Sequence, residues 1–139
     1  MNLSVTDRGI EGTGAGHLHL NHVNVTAGTT GIEMRDPSST FDHVSVVMTS
    51  VTPTALDILD GIHHWSSVSA SKSYSATDVD SIGLTAWYAS IESTTLTLLH
   101  FGNGIVADHA TLSGNSYSVQ DGKGAGIDLQ HSSLTCLLY

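Results

Sequence analysis

The chain has 139 residues, of which 40 % are apolar and only 12 % charged, with 14 glycines. Thirteen acidic residues against four basic ones give a formal charge of −9, which argues against nucleic acid as a partner, because phosphate binding needs clustered Lys and Arg. The length fits a single domain, residues 1–139, and the abundance of Gly, Ser and Thr suits short strands and turns better than a helical bundle or a disordered tail.

Met1-Asn2-Leu3-Ser4 lacks a basic region followed by an apolar run, and no apolar segment reaches membrane-spanning length. No signal peptide is read in this stretch, any export signal being expected on a longer parent chain, and membrane insertion is not expected. Leu3-Ser4-Val5 reads as the last strand of a unit whose earlier part is missing. From there the chain falls into units that each start with Gly or Ala followed by Ile or Leu. The starts are Gly9-Ile10, Gly31-Ile32, Ala55-Leu56, Gly83-Leu84, Gly104-Ile105 and Gly126-Ile127, separated by 22, 24, 28, 21 and 22 residues. The fifth and sixth units are nearly the same sentence, since Gly104 to Ser113 returns without a gap as Gly126 to Thr135.

Within a unit the first strand alternates, as in Ile32-Glu33-Met34, Leu56-Asp57-Ile58 and Ile105-Val106-Ala107. A second alternating triplet follows in Val23-Asn24-Val25, Val44-Ser45-Val46, Val68-Ser69-Ala70, Leu96-Thr97-Leu98 and Tyr117-Ser118-Val119. Leu18, Ile91, Leu112 and Leu134 mark a short middle strand between them. Period-two alternation means one buried and one wet face, while no window sustains the three- and four-residue spacing of a helix. An antiparallel sandwich would have no reason to repeat its register every 22 residues or so. The expectation is an all-β parallel solenoid of about six coils, with three short strands per coil. The glycine ahead of each unit is expected to adopt a backbone shape closed to other residues. Loops are expected to project at about Thr49 to Thr54 and Ser71 to Ser81. Tyr139 falls where the final unit's last strand should begin, so both ends read as uncapped. That suggests a segment of a longer β-helix, or a module whose end coils self-associate.

The recurrent Gly-Ile-x-apolar unit, followed by a stretch such as Thr111-Leu112-Ser113-Gly114-Asn115-Ser116-Tyr117, resembles the right-handed parallel β-helix of pectate-lyase-like proteins over essentially the whole chain. The resemblance implies right-handed coiling. It covers polysaccharide lyases and hydrolases, phage tailspikes, adhesins and structural repeats alike. The Gly-His-Gly and Arg-x-Lys elements of its pectin-cleaving members are absent here.

Stacking turns sequence offsets into stripes. The outward position of the first strand carries Glu11, Glu33, Asp57, Thr85, Val106 and Asp128, and three residues on come Asp36, Asp60, Tyr88, His109 and His131. Carboxylates about 5 Å apart repel unless a cation, an Arg such as Arg35, or a shifted pKa relieves them. The ligand-binding candidates are therefore Glu33, Asp36, Asp57, Asp60, Asp108, His109, Asp128 and His131, with Trp87 and Tyr88 as stacking platforms for sugar rings. Asp57, Asp60, Asp108 and Asp128 are the acids a polysaccharide-cleaving reaction would draw on. No cofactor is expected, Ca²⁺ being the one ion the acidic stripe suggests, and the nine histidines show no standard zinc spacing. His22 with His43, and His109 with His131, occupy equivalent places and are expected to stack.

The last strand offers a second stripe of outward pairs: His22 and Asn24, His43 and Ser45, Ser67 and Ser69, Thr95 and Thr97, Ser116 and Ser118. It resembles the Thr-x-Thr arrays of β-helical ice-binding proteins. Cys136 is the only cysteine, so no intrachain disulfide can form. Asn2 and Asn24 begin Asn-x-Ser/Thr sequons. These readings favour a non-catalytic structural or adhesive module, secreted or at the cell surface. A polysaccharide-acting β-helix comes second and ice binding third.

Overall fold

The structure, a computed structural model, describes residues 1–50, 52–73, 80–120, 124 and 126–136. All of its regular elements are strands, paired parallel in two sheets. One sheet holds β2 (Arg8–Thr13), β4 (Thr30–Arg35), β6 (Thr54–Leu59), β8 (Ile82–Trp87), β10 (Asn103–Asp108) and β12 (Ile127–Gln130). The other holds β1 (Asn2–Ser4), β3 (His17–Ala27), β5 (Ser38–Met48), β7 (Ile62–Lys72), β9 (Ser90–Leu99), β11 (Thr111–Gln120) and β13 (Ser133–Cys136). The chain alternates between the sheets and each strand pairs with its counterpart one coil away, giving a β-solenoid of about six turns.

The unit starts stay in register, with Ile10, Ile32, Leu56, Leu84, Ile105 and Ile127 forming one row. Ile32, Leu56, Leu84 and Ile105 are fully buried. So are Met34, Ile58, Ala86 and Ala107 in the next inward row, while Val25, Val46, Ala70 and Leu98 close the core from the other sheet. Each large apolar side chain so buried stabilises the coil by roughly 1.5–3 kcal/mol. Phe41 and Trp65, adjacent in register, stack with centroids 5.2 Å apart and planes 6° from parallel.

Three expectations need correction. The middle and last strands of a coil are not separate: they run on as one strand of ten or eleven residues in β3, β5, β7, β9 and β11. In three of these the bend between the two stretches is absorbed by one left-handed residue inside the strand, His22, His43 or Ser67, with φ of 53°, 52° and 51°. The second correction concerns the glycines that open the units. Gly31 and Gly104 do not have positive φ. What excludes a side chain is proximity, because a Cβ on Gly104 would stand 2.2 Å from a Val119 methyl and 2.5 Å from the Gly126 carbonyl oxygen. Third, Thr49 and Ser50 do not leave the coil. The Thr49 amide donates to the Ala27 carbonyl, the Ser50 hydroxyl donates to that of Gly28, and Pro53 is buried. Val51 lies outside the described residues, as does most of the second expected loop. Ser71 and Lys72 at its start are still paired, with Val47 and Met48. Tyr139, the expected start of a last strand, also lies outside the described residues, whereas Leu3 pairs with Val25 as expected.

Candidate functional site

The outward side chains of the six-stranded sheet form two rows. Glu11, Glu33, Asp57, Thr85, Val106 and Asp128 lie side by side in register, and two residues further on come Thr13, Arg35, Leu59, Trp87, Asp108 and Gln130. The acidic row is not a bare ladder of like charge. Glu33 is 7 % exposed and clamped by two cations, Arg8 Nη1 at 3.0 Å from one carboxylate oxygen and Arg35 Nε at 2.7 Å from the other. Arg35 also reaches Asp57, with Nη2 3.2 Å from Oδ2. Its hydrogen bond to Glu33 holds the guanidinium pKa above the ordinary value. Burial pushes the Asp57 carboxyl up, and Arg35 pulls it partly back. Glu33 and Asp57, read as ligand candidates, thus serve first as partners of arginine.

Arg35, Asp57, Leu59, Thr85 and Trp87 line an open depression of about 460 Å³ on this face. Trp87 is 43 % exposed there, with Leu59 between it and Arg35 in register and Asp57 on the diagonal. The chemistry on offer is a flat apolar platform in a depression that also holds one donor group and one acceptor group. Of the four acids named as catalytic candidates, Asp108 and Asp128 are diagonal neighbours on the adjacent strands β10 and β12, Val106 standing opposite Asp128 two residues before Asp108, whereas Asp57 is remote from Asp128. Asp57 and Asp128 share a row but are three strands apart, about 14 Å at 4.8 Å per step, well beyond the spacing at which two carboxyls flank one glycosidic bond. Asp60 sits at the end of the strand, and its carbonyl accepts a hydrogen bond from His63 Nε2.

The second set of candidates occupies the bend that follows the sheet. Asp36, Asp60, Tyr88, His109 and His131 have φ of 77°, 60°, 53°, 51° and 48°. A left-handed residue is needed in every coil to turn the chain from one sheet into the other, and Asp and His are among the side chains that tolerate it. Hydrogen bonds carry the ladder through the bend: the amides of Asp60, Tyr88 and His109 donate to the carbonyls of Trp87, Asp108 and Gln130 in the next coil. Rings that follow one another at this corner stack. Tyr88 and His109 have centroids 4.9 Å apart, and His109 and His131 are 4.6 Å apart with planes 22° from parallel. Asp108 faces that pair, its Oδ1 2.7 Å from His109 Nδ1 and 3.4 Å from His131 Nδ1.

The bend inside the long strands repeats the motif. His22 and His43 stack at 4.7 Å with planes 10° from parallel, and Asp42 Oδ1 lies 2.8 Å from His43 Nδ1. The outward stripe read as small hydroxyls therefore starts on a corner in three coils, with His22, His43 and Ser67 turning the backbone instead of lying flat in a strand. The two sequon asparagines are neighbours in register, Asn24 Nδ2 donating to Asn2 Oδ1 at 2.9 Å.

Sequence reading missed the partners that complete these groups. Arg8 reaches Glu33 across a coil, Asp108 meets both imidazoles of its stacked pair, and Asp42 meets His43 of the other pair, where the His22 Nδ1 is held by Asn21 Oδ1. The available signal was the dipeptide Asp-His at the corner position, present in Asp42-His43 and Asp108-His109. Of the adjacent His63 and His64, the first is fully buried and the second exposed. Comparison with known proteins finds no matching family model, no matching curated protein and no matching solved structure.

Proposed function

We propose that this chain is a rigid β-solenoid scaffold of the pectate-lyase-like kind, a non-catalytic structural or adhesive module of a secreted or cell-surface protein. The observation that carries the reading is register. Parallel pairing continues from β1 through β13 and from β2 through β12 with one core row after another in line, so the backbone is spent on stiffness along the stacking axis. Ile127 and Leu129 keep core register on β12 yet are 43 % and 37 % exposed, which favours a further coil docked on that edge. End-to-end association of copies would supply it and would give rods, since a head-to-tail contact that does not close makes filaments. Sedimentation and electron microscopy across a concentration series test this. Rods that lengthen with concentration, and shorten when Ile127→Lys and Leu129→Lys are introduced together, support the reading; compact particles at every concentration overturn self-association.

A second reading, binding of a polysaccharide, is favoured by the Trp87 depression. A glycan array would return hits that Trp87→Ala abolishes, and a blank array would dismiss it.

A further inference from the structure

We propose that Asp108, His109 and His131 form a binding site for a divalent transition-metal ion, and that His22, Asp42 and His43 repeat the design at the bend within the long strands. The inference goes beyond the scaffold reading and does not depend on it. In each trio the candidate ligand atoms, one per residue, all lie within 4.8 Å of one another. In the first trio one carboxylate oxygen faces two imidazole nitrogens at 2.7 and 3.4 Å. Donors around a tetrahedral ion with metal–nitrogen bonds of about 2.0–2.1 Å stand about 3.4 Å apart. Because imidazole binds a metal through an in-plane lone pair, the two rings, 22° from parallel, must also swing apart on binding, and their exposed side chains, 45 % and 72 % accessible, leave room for that turn.

The need for a left-handed corner explains histidine at these positions, but it does not explain the carboxylate. Among the described residues, nine other than glycine have positive φ: His22, Asp36, His43, Asp60, Ser67, Tyr88, His100, His109 and His131. The residues just before them are Asn21, Arg35, Asp42, Leu59, Ser66, Trp87, Leu99, Asp108 and Gln130. An acid occurs there twice, at Asp42 and Asp108, and both times beside a stacked pair of imidazoles. Stacking of successive coils places the two rings nearly parallel, and a preceding strand residue supplies the anionic donor. This fixes a site from three donors on two adjacent coils without any loop.

Two imidazoles and one carboxylate suit Zn²⁺, Ni²⁺ or Cu²⁺ and not Ca²⁺, which takes oxygen ligands. Three protein donors leave the remaining coordination positions open to water or to a ligand from outside. Trp87 pairs with Asp108 in register and Tyr88 stacks on His109, so the first site lies at one end of an aromatic row.

Isothermal titration of the full chain with Zn²⁺ alone tests the proposal. Saturable uptake of two ions per chain is expected. His131→Asn, which keeps a left-handed-tolerant residue at the corner, should remove one equivalent, and His43→Asn the other. Asp108→Asn should weaken the first site by at least the roughly 10–100-fold that even outer-shell partners of metal ligands cost. Circular dichroism checks that each variant keeps the wild-type fold. Cu²⁺ electron paramagnetic resonance gives an independent readout, with coupling to two nitrogens expected per site. Absence of saturable uptake below millimolar Zn²⁺ would overturn the proposal. So would loss of uptake in His17→Ala/His19→Ala/His64→Ala, which removes exposed histidines outside both trios, or a copper spectrum without two-nitrogen coupling.

Discussion

Ser39 Oγ and His63 Nδ1 lie 2.7 Å apart, both fully buried, in a row whose other members are Leu18, Ile91, Leu112 and Leu134. His63 Nε2 lies 2.8 Å from the Asp60 carbonyl. A carbonyl only accepts, so Nε2 carries the proton and Nδ1 accepts from the Ser39 hydroxyl. The Ser39 oxygen in turn accepts from Trp65 Nε1 at 3.0 Å. Each member of this polar insert in an apolar row is therefore satisfied with a neutral imidazole, whereas a protonated one would make the Ser39 oxygen its acceptor and leave the Ser39 O–H without an acceptor among these partners.

The consequence is acid lability. Burial lowers the His63 pKa below its ordinary value of 6.5, so stability is full above that value, where native and unfolded chains are both neutral. As pH falls through it, the unfolded chain takes up a proton that the native state refuses. Stability then drops by up to about 1.4 kcal/mol per pH unit until the native imidazole also titrates. Urea unfolding between about pH 8 and pH 5 should show this slope in the wild type, and His63→Gln, which hydrogen-bonds without titrating, should flatten it. An equal slope in both proteins would assign the lability elsewhere.

The Glu33 clamp makes a second case. Arg35→Met leaves Glu33, whose side chain is 9 % exposed, with Arg8 as its remaining cation. It also removes the charge that pulls the Asp57 carboxyl down. Because the Arg35 side chain is itself 45 % exposed, the expected loss is about 1–2 kcal/mol, below the 3–5 kcal/mol of a fully buried pair. Carboxyl-carbon NMR should find Asp57 titrating at higher pH in Arg35→Met than in the wild type. An unmoved Asp57 would mean that the guanidinium and the carboxylate do not meet in solution.

How much of this was legible in the sequence follows from what stacking does. Register, core rows and the two histidine stacks could be read because equivalent residues in successive coils must lie one above another, as Val25, Val46, Ala70 and Leu98 do. What could not be read depends on a single φ angle. Taking His22 and His43 as outward strand residues concealed the bend, and so concealed that Asp42 approaches the imidazoles. Diagonal reach was equally hidden, since Arg8 meets Glu33 through a long side chain and not through register. His63 sat in plain view in the Leu18 and Ile91 row. Its polar side chain masked a core position because its partner Ser39 lies 24 residues away.

Corner conformation should be measurable at Ser67, which is exposed and has φ of 51°. Glycine meets that angle without steric cost, whereas a β-branched residue pays the left-handed penalty of about 1–2 kcal/mol. Ser67→Gly is expected to match or slightly exceed wild-type stability, and Ser67→Val to fall below it by that amount in thermal melts. Equal midpoints for the two variants would place the bend elsewhere.

Proline tests the ladder itself. Ser45 lies in β5, which is paired on one side with β3 and on the other with β7, Ser45 standing opposite Asn24 and Ser69. Whichever neighbour its amide serves, Ser45→Pro removes a ladder donor and places a ring against an adjacent strand, at a cost of about 3 kcal/mol or more. Ser118 on β11 is less decisive, because the described pairing of β11 with β13 covers only Thr111 to Gly114. A proline at Ser118 therefore disturbs one described pairing, with Thr97 of β9, where Ser45→Pro disturbs two. Ser45→Pro is expected to lower the urea midpoint sharply, with Ser118→Pro shifting it less. The reverse order would show that the two-sided pairing of β5 does not carry the stability assigned to it.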